Sequence, residues 1–233
     1  MRAPTRYDDF IQMICFLDNS KDTLLIDVGA NIGSFASDFR TFFPCGQSWL
    51  FEPNPECIAK IGQRFADHSD FVIQPYGIGE EASELVLRVP DGKAALGTFH
   101  GYNKTAQEHY GDMDYSTYSV EVRPIDDFQF KPSENTVLKI DTQGHEVDVL
   151  RGGSAILDRV DLVLIECSFA PIHEGCTETF GECVSILASH DLVPVVFQRF
   201  GQKVSTYAFE RDVVFVRRQM ARSVYHSNYG RVS

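Results

Sequence analysis

The sequence predicts an α/β fold built on a mostly parallel sheet, and three stretches carry that expectation. Leu24-Leu25-Ile26-Asp27-Val28 is an apolar run that opens into the turn Gly29-Ala30-Asn31-Ile32-Gly33. Trp49-Leu50-Phe51 is a shorter run closing on Glu52, and Val137-Leu138-Lys139-Ile140 closes on Asp141. Near-continuous apolar runs are what strands buried on both faces look like. Strands that end in acids, with a helical pattern between them, describe a nucleotide-binding sheet whose site lies along its carboxyl edge.

The elements follow in order. Tyr7, Phe10, Ile11, Ile14, Phe16 and Leu17 fall near helical spacing and predict a helix on the sheet edge, within an N-terminal extension over 1–20. The first core strand spans 24–28. A helix over 31–43 comes next, stopped by Pro44 and Gly46. Residues 48–51 form the second strand. Asn54 then caps a helix over 55–65, with Pro55 in its first turn, where a missing N–H costs little. Phe71-Val72-Ile73 is the third strand and leads into the turn Pro75-Tyr76-Gly77-Ile78-Gly79. Leu85-Val86-Leu87-Arg88-Val89 reads best as a strand.

Residues 90–119 change character. Gly92, Gly97, Gly101 and Gly111 punctuate them, and Tyr102, Tyr110, Tyr115 and Tyr118 sit among polar residues, the mark of a loop insertion that serves function or moves. Such a segment is either a substrate lid, its aromatic faces and hydroxyls suited to rings with apolar faces and polar edges, or a surface excursion. A strand resumes over 120–125, the fourth core strand is 137–140, and a short helix lies around 146–150. The fifth strand, 162–165, ends at Glu166. A helix over 179–190 precedes two strands, 193–197 and 213–216, whose hairpin character appends an antiparallel pair to the parallel sheet. One domain over 21–218 results, with a loop insertion near 90–119 and a loose tail over 219–233.

A chain of 233 residues suffices for one such domain with a sizeable core. Its 21 basic and 33 acidic residues leave a net charge of −12, which repels phosphate backbones and anionic lipids and argues against nucleic acid as a partner. No apolar stretch approaches the roughly 20 residues of a membrane-spanning helix, and the first residues lack the apolar core of a secretory signal. Cys15, Cys45, Cys57, Cys167, Cys176 and Cys183 are scattered without a C-x-x-C pair, as reduced cytoplasmic thiols are.

The glycine turn lacks the G-x-G-x-x-G spacing of dinucleotide sites, which moves the expectation from NAD toward another adenosine-bearing cofactor. Ile26-Asp27-Val28-Gly29-Ala30-Asn31-Ile32-Gly33-Ser34-Phe35, Phe51-Glu52-Pro53-Asn54-Pro55 and Leu138-Lys139-Ile140-Asp141-Thr142-Gln143-Gly144-His145-Glu146 resemble, in order, the motifs of the FkbM-type S-adenosylmethionine-dependent methyltransferases. The resemblance implies a class I methyltransferase (Rossmann-like) three-layer sandwich with a mostly parallel seven-stranded sheet. It also implies methyl transfer to a hydroxyl of a small molecule, sugar or glycan.

On that resemblance, the backbone of Gly29, Ala30, Asn31 and Gly33 holds the methionine portion of S-adenosylmethionine, next to a helix N-terminus that favours its carboxylate. Glu52, beside Pro53, accepts hydrogen bonds from the ribose hydroxyls; otherwise it is an exposed carboxylate before a proline turn. Asp27 is a weaker cofactor contact or an organiser of the turn, and Gly77 and Ile78 face the adenine.

Methyl transfer to a hydroxyl needs the acceptor held in line and its proton removed. Asp141, at the carboxyl end of the fourth strand, and His145, four residues on, are the candidates, and a helix starting there brings them to one side. The alternative is structural: Asp141 caps that helix and Glu146 satisfies nearby backbone N–H groups. The family often carries alanine where His145 stands, which argues against an obligatory histidine base. No metal-ligand spacing supports a metal role for Asp141, His145 and Glu166, and His100, His109 and His173 read as isolated. The expectation is a cytoplasmic O-methyltransferase acting away from membranes. Its rivals are an NAD-linked oxidoreductase, whose ribose Glu52 would hold equally well, and a non-catalytic cofactor-binding protein.

Overall fold

The computed structural model describes residues 13, 15–104, 107–108, 114–170, 172–175, 180–197 and 210–229. In chain order the strands are Thr23–Val28 (β1), Cys45–Phe51 (β2), Phe71–Gln74 (β3), Gly77–Ile78 (β4), Ser83–Pro90 (β5), Tyr115–Arg123 (β6), Asn135–Ile140 (β7), Leu162–Ser168 (β8), Leu192–Phe197 (β9) and Glu210–Arg217 (β10). The α-helices are Ser34–Phe39 (α1), Pro55–Arg64 (α2), Glu146–Arg151 (α3), Ser154–Leu157 (α4), Phe180–Ser189 (α5) and Arg218–Tyr229 (α6).

Seven strands make one sheet in the order β3-β2-β1-β7-β8-β10-β9. The strands from β3 to β8 run parallel, and β10 is antiparallel to both β8 and β9, the edge pair that the hairpin pattern predicts. Every residue of β1 and of β7 is buried, because alternate side chains meet helices on opposite faces. Leu25, Val137 and Leu164 pack with Phe39 of α1, Ile61 of α2 and Met220 of α6. Leu24, Ile26, Leu138 and Val163 pack with Val147 of α3, Leu157 of α4 and Leu187 of α5. Moving one such aliphatic side chain out of water contributes about 1.5–3 kcal/mol, so these two faces hold the sheet in place.

Three expectations change. The helix expected over 31–43 is only Ser34–Phe39, because Asn31 and Gly33 take positive φ (50° and 73°), a conformation no α-helix admits. The expected loose tail is the helix α6, whose Met220 and Ala221 pack on the core and whose first residue, Arg218, pairs with Asp191. The strand expected at 120–125 begins at Tyr115, inside the expected loop, and pairs with β5 from Pro90↔Tyr115 to Ser83↔Val122. With β4 it forms a separate three-stranded sheet, β4-β6-β5. Asn54 caps α2 as expected, its side chain accepting from the Glu56 N–H at 3.0 Å. The expected N-terminal helix lies mostly outside the described residues, of which Met13 and Leu17 are buried in the core.

Candidate active site

The order of the main sheet reverses between β1 and β7, and the carboxyl ends of strands at such a reversal open a crevice. Val28 stands opposite Ile140 in the register, so Gly29 and Asp141 leave the sheet side by side. A Cβ on Gly29 would lie 1.9 Å from the Asp141 carbonyl oxygen, and its φ is +77°, so only glycine fits. Its N–H and that of Ala30 both donate to the Phe51 carbonyl, at 3.0 Å each, fastening the turn to β2. A cleft of about 300 Å³ follows, lined at one end by Glu52, Pro53 and Asn54 and at the other by Asp141 and Glu166.

Glu52 is buried. One oxygen accepts from the Asn31 N–H at 2.7 Å and the other from the Asn54 N–H at 2.8 Å. Burial pushes its carboxyl up to about 7, although those two N–H groups pull it down. A carboxylate has about four acceptor sites, so each oxygen keeps capacity for a hydroxyl. Opposite it, Tyr76, Gly77 and Ile78 line the cleft, and Leu87, Ala94, Leu96 and Phe99 roof it. Ala94, Leu96 and Phe99 of that roof come from the segment expected as an insertion, but its tyrosines are not among the lining residues. Tyr102 is buried beside Ile172, and Tyr118 bonds Glu56 outside the cleft. Tyr110 lies outside the described residues.

Lys139, a cation in an otherwise buried strand, organises the other end. Its Nζ lies 3.2 Å from Asp27, 3.3 Å from Asp141 and 2.9 Å from the Gly29 carbonyl. Burial alone would lower the pKa of its ammonium, yet the Asp141 and Asp27 carboxylates raise it above the ordinary lysine value. Asp27 is therefore sealed in an ion pair and shapes the turn through Lys139 instead of touching the cleft. Gln143, at φ 54°, donates its side-chain amide to Asp141 at 3.1 Å and to Glu166 at 2.7 Å. Burial would raise Asp141, but Lys139 and Gln143 hold it below the ordinary carboxylate range. Burial, and then the Asp141 charge, push Glu166 well above it. The surroundings thus push the two carboxyls apart, Asp141 toward the ionised form and Glu166 toward the protonated one.

Seven of the ten expected cofactor-binding residues line this cleft: Gly29, Asn31, Glu52, Pro53, Gly77, Ile78 and Asp141. Three do not. Asp27 is buried against Lys139, Ala30 is packed in the core, and Gly33 is needed where a Cβ would meet the Phe65 ring at 2.6 Å. Nor are Asp141 and His145 brought to one side. The helix starts only at Glu146, and that residue's carboxylate instead accepts from the Thr142 and Gly144 N–H groups. His145 turns away, its ring edge on Phe99 and its Nδ1 3.1 Å from Asp148. His100 and His173, expected as isolated, form a row with it, the ring centroids of His100 lying 5.7 Å from His145 and 6.3 Å from His173; His109 lies outside the described residues. Sequence reasoning gave no site role to Lys139, Gln143 or Glu166. The available signals were a lysine inside a buried strand and a further strand ending in an acid.

Comparison with known proteins bears on this geometry. The family model described as a methyltransferase FkbM domain matches residues 27–194. The chain is 25% identical over 183 residues to the 2-O-methyltransferase NoeI of Sinorhizobium fredii, covering 75% of each. It is 31% identical over 157 residues to the hexuronic acid methyltransferase AglP of Haloferax volcanii, covering 66% of this chain and 58% of that one. Its fold is similar to the crystal structure of a methyltransferase FkbM from Methylobacillus flagellatus KT, at a TM-score of 0.54 and 15% identity, over 84% of this chain and 43% of that one.

Proposed function

The chain belongs to the FkbM-domain methyltransferase family, and from that premise we propose that it is a class I enzyme that methylates a hydroxyl of a sugar, glycan or other small molecule with S-adenosylmethionine. The observation that carries this reading is one cleft at the sheet reversal with a buried carboxylate, Glu52, at one end and the Asp141–Glu166 pair at the other. The cleft suits the cofactor: the buried Nδ2 of Asn54, a residue of its wall, has no acceptor among the described residues. Glu52 would take the ribose hydroxyls, Gly77 and Ile78 the adenine, and the backbone of Gly29 and Asn31 the methionine portion. When bound, S-adenosylmethionine supplies a methyl group made electrophilic by its sulfonium charge.

The chain's own residues do the rest. Ionised Asp141 sets a negative charge where a cation is to be held, and the Lys139 ammonium keeps it ionised. Glu166 receives the acceptor's proton once its own has been lost, and Gln143 fixes the distance between the two carboxylates. The roof residues Leu87, Leu96 and Phe99 exclude water from the transfer. No helix among the described residues is long and apolar enough to cross a membrane. The acidic net charge favours a small or neutral acceptor over nucleic acid.

Titration calorimetry with S-adenosylhomocysteine and with NAD, followed by transfer of labelled methyl to a panel of glycans, tests the reading. We expect S-adenosylhomocysteine to bind, NAD not to bind, and label to appear as an alkali-stable ether. NAD binding alone would return the oxidoreductase. Cofactor binding with no transfer to any hydroxyl compound would leave a binding protein.

A further inference from the structure

His145 is displaced from the cleft into a second arrangement that the methyl-transfer reading does not use. We propose that His100, His145 and Asp148 form a binding site for one divalent transition-metal ion of the zinc class, and that the ion clamps the cleft roof to the turn that carries Asp141. One ligand atom from each of the three residues lies within 4.8 Å of the other two. Tetrahedral zinc with bonds near 2.1 Å places its ligand atoms about 3.4 Å apart, so closure asks for a movement of under 1 Å per side chain. His145 is the fixed member, buried at the position preceding α3 with its ring held edge-on by Phe99 at 5.1 Å. His100 and Asp148 are half-buried and adjust around it.

The donor set fits the metal. Two imidazoles and one carboxylate are borderline ligands that suit zinc and cobalt and leave a fourth position open. Room for that fourth ligand exists, since His145 and Asp148 stand in the wall of an open cavity of about 340 Å³ bounded by Gly79, Ser83 and Val122. The His145–Asp148 contact at 3.1 Å also serves as an ion pair without metal. It is the arrival of His100 from a different segment, more than 40 residues earlier in the chain, that makes a ligand set of it.

The placement gives the ion a consequence. His100 follows Phe99, which roofs the cleft, and Thr98, whose hydroxyl donates to the Gln143 carbonyl at 2.6 Å. His145 and Asp148 belong to the turn and helix just beyond Asp141. An ion shared by them would cross-link roof and floor behind the cleft without entering it.

Calorimetric titration of the metal-stripped protein with Zn²⁺, and visible spectra with Co²⁺, test the proposal without any methyl-transfer readout. The expected result is one equivalent bound, a Co²⁺ spectrum of tetrahedral type, and a loss of tenfold or more in affinity for each of His100→Ala and Asp148→Asn. His190→Ala, which removes a partly buried histidine paired with Asp158, is expected to leave affinity unchanged. Circular dichroism shows which variants are folded. X-ray absorption of the Zn²⁺-loaded wild type, requiring no variant, is expected to show two imidazole ligands. No binding by the wild type, equal binding by the folded variants, or a shell without histidine would overturn the proposal and leave His145–Asp148 an ion pair only.

Discussion

Glu52 braces two backbone N–H groups while facing the cleft, and its burial ties both stability and ligand binding to pH. Its folded-state value of about 7 stands above the ordinary 4.5, so below about 7 the folded protein favours the neutral acid. The stability this contributes is complete below about 4.5 and is lost as pH rises through about 7. Glu210, raised to about 7 mainly by burial, adds to the same decline. Urea unfolding of Glu52→Gln across that interval should therefore show a shallower loss than the wild type. Cofactor binding runs the opposite way, because ribose hydroxyls donate to the ionised form. Affinity for S-adenosylhomocysteine should rise toward pH 7 and level off above it. Glu52→Ala should cost about 1.5–3 kcal/mol of that affinity, the worth of hydrogen bonds to a charged group, and unchanged calorimetry would remove Glu52 from the ribose site. The neighbouring pair titrates separately. Glu166 must lose a proton held well above the ordinary carboxylate range, so turnover should increase with pH through that ionisation. Glu166→Gln should abolish the rise and lower kcat by about 10²–10⁴-fold, the usual weight of a general base, with S-adenosylhomocysteine affinity nearly unchanged.

At the scale of elements, the β1–α1 turn is the most constrained connection. Gly29→Ala would force a side chain into a left-handed conformation, at about 1–2 kcal/mol, and drive a methyl into the Asp141 carbonyl. Destabilisation beyond that figure is expected in urea melts, together with loss of S-adenosylhomocysteine binding; a tolerated alanine would mean that β1 and β7 can part. Much of this architecture is legible in the sequence because it is local. β1 and β7 announce themselves as apolar runs, and the acids at their ends mark the ligand edge. What stays hidden depends on contacts between distant segments. Lys139 is visible in its strand, but its partners Asp27 and Gly29 lie 110 or more residues away. The β5–β6 hairpin escapes notice because the residues that close it, Pro90 and Tyr115, stand 25 apart, so the turn signal at Asp91-Gly92 does not lead directly into the partner strand. α6 escapes because its sequence is polar apart from the few residues, Met220 and Ala221 among them, that meet the core. His145 misleads for a related reason: spacing of four aligns two residues only within a helix, and Asp141 precedes the helix.

Taken whole, the main sheet carries a smaller sheet beside the roof of its cleft, and the two share no strand ladder among the described residues. Function on this reading requires the roof to part from the floor when ligands exchange, so the few bonds across the gap should govern the rates. Thr98 makes the most buried of them, donating to the Gln143 carbonyl while accepting from the His100 N–H at 3.1 Å. Arg88 secures the same segment by donating to the Phe99 carbonyl at 3.0 Å, but within the roof itself. Thr98→Val keeps the shape and deletes the bond across the gap, leaving a buried carbonyl short of a partner at a cost of about 1–3 kcal/mol. That cost should fall on the closed arrangement alone. Amide exchange is therefore expected to quicken over 94–100 while the β1 and β7 amides keep their protection, and S-adenosylhomocysteine should dissociate faster from the variant than from the wild type. Uniform loss of protection through both sheets would instead show that roof and main sheet unfold as one unit, leaving the cleft no separate way to open.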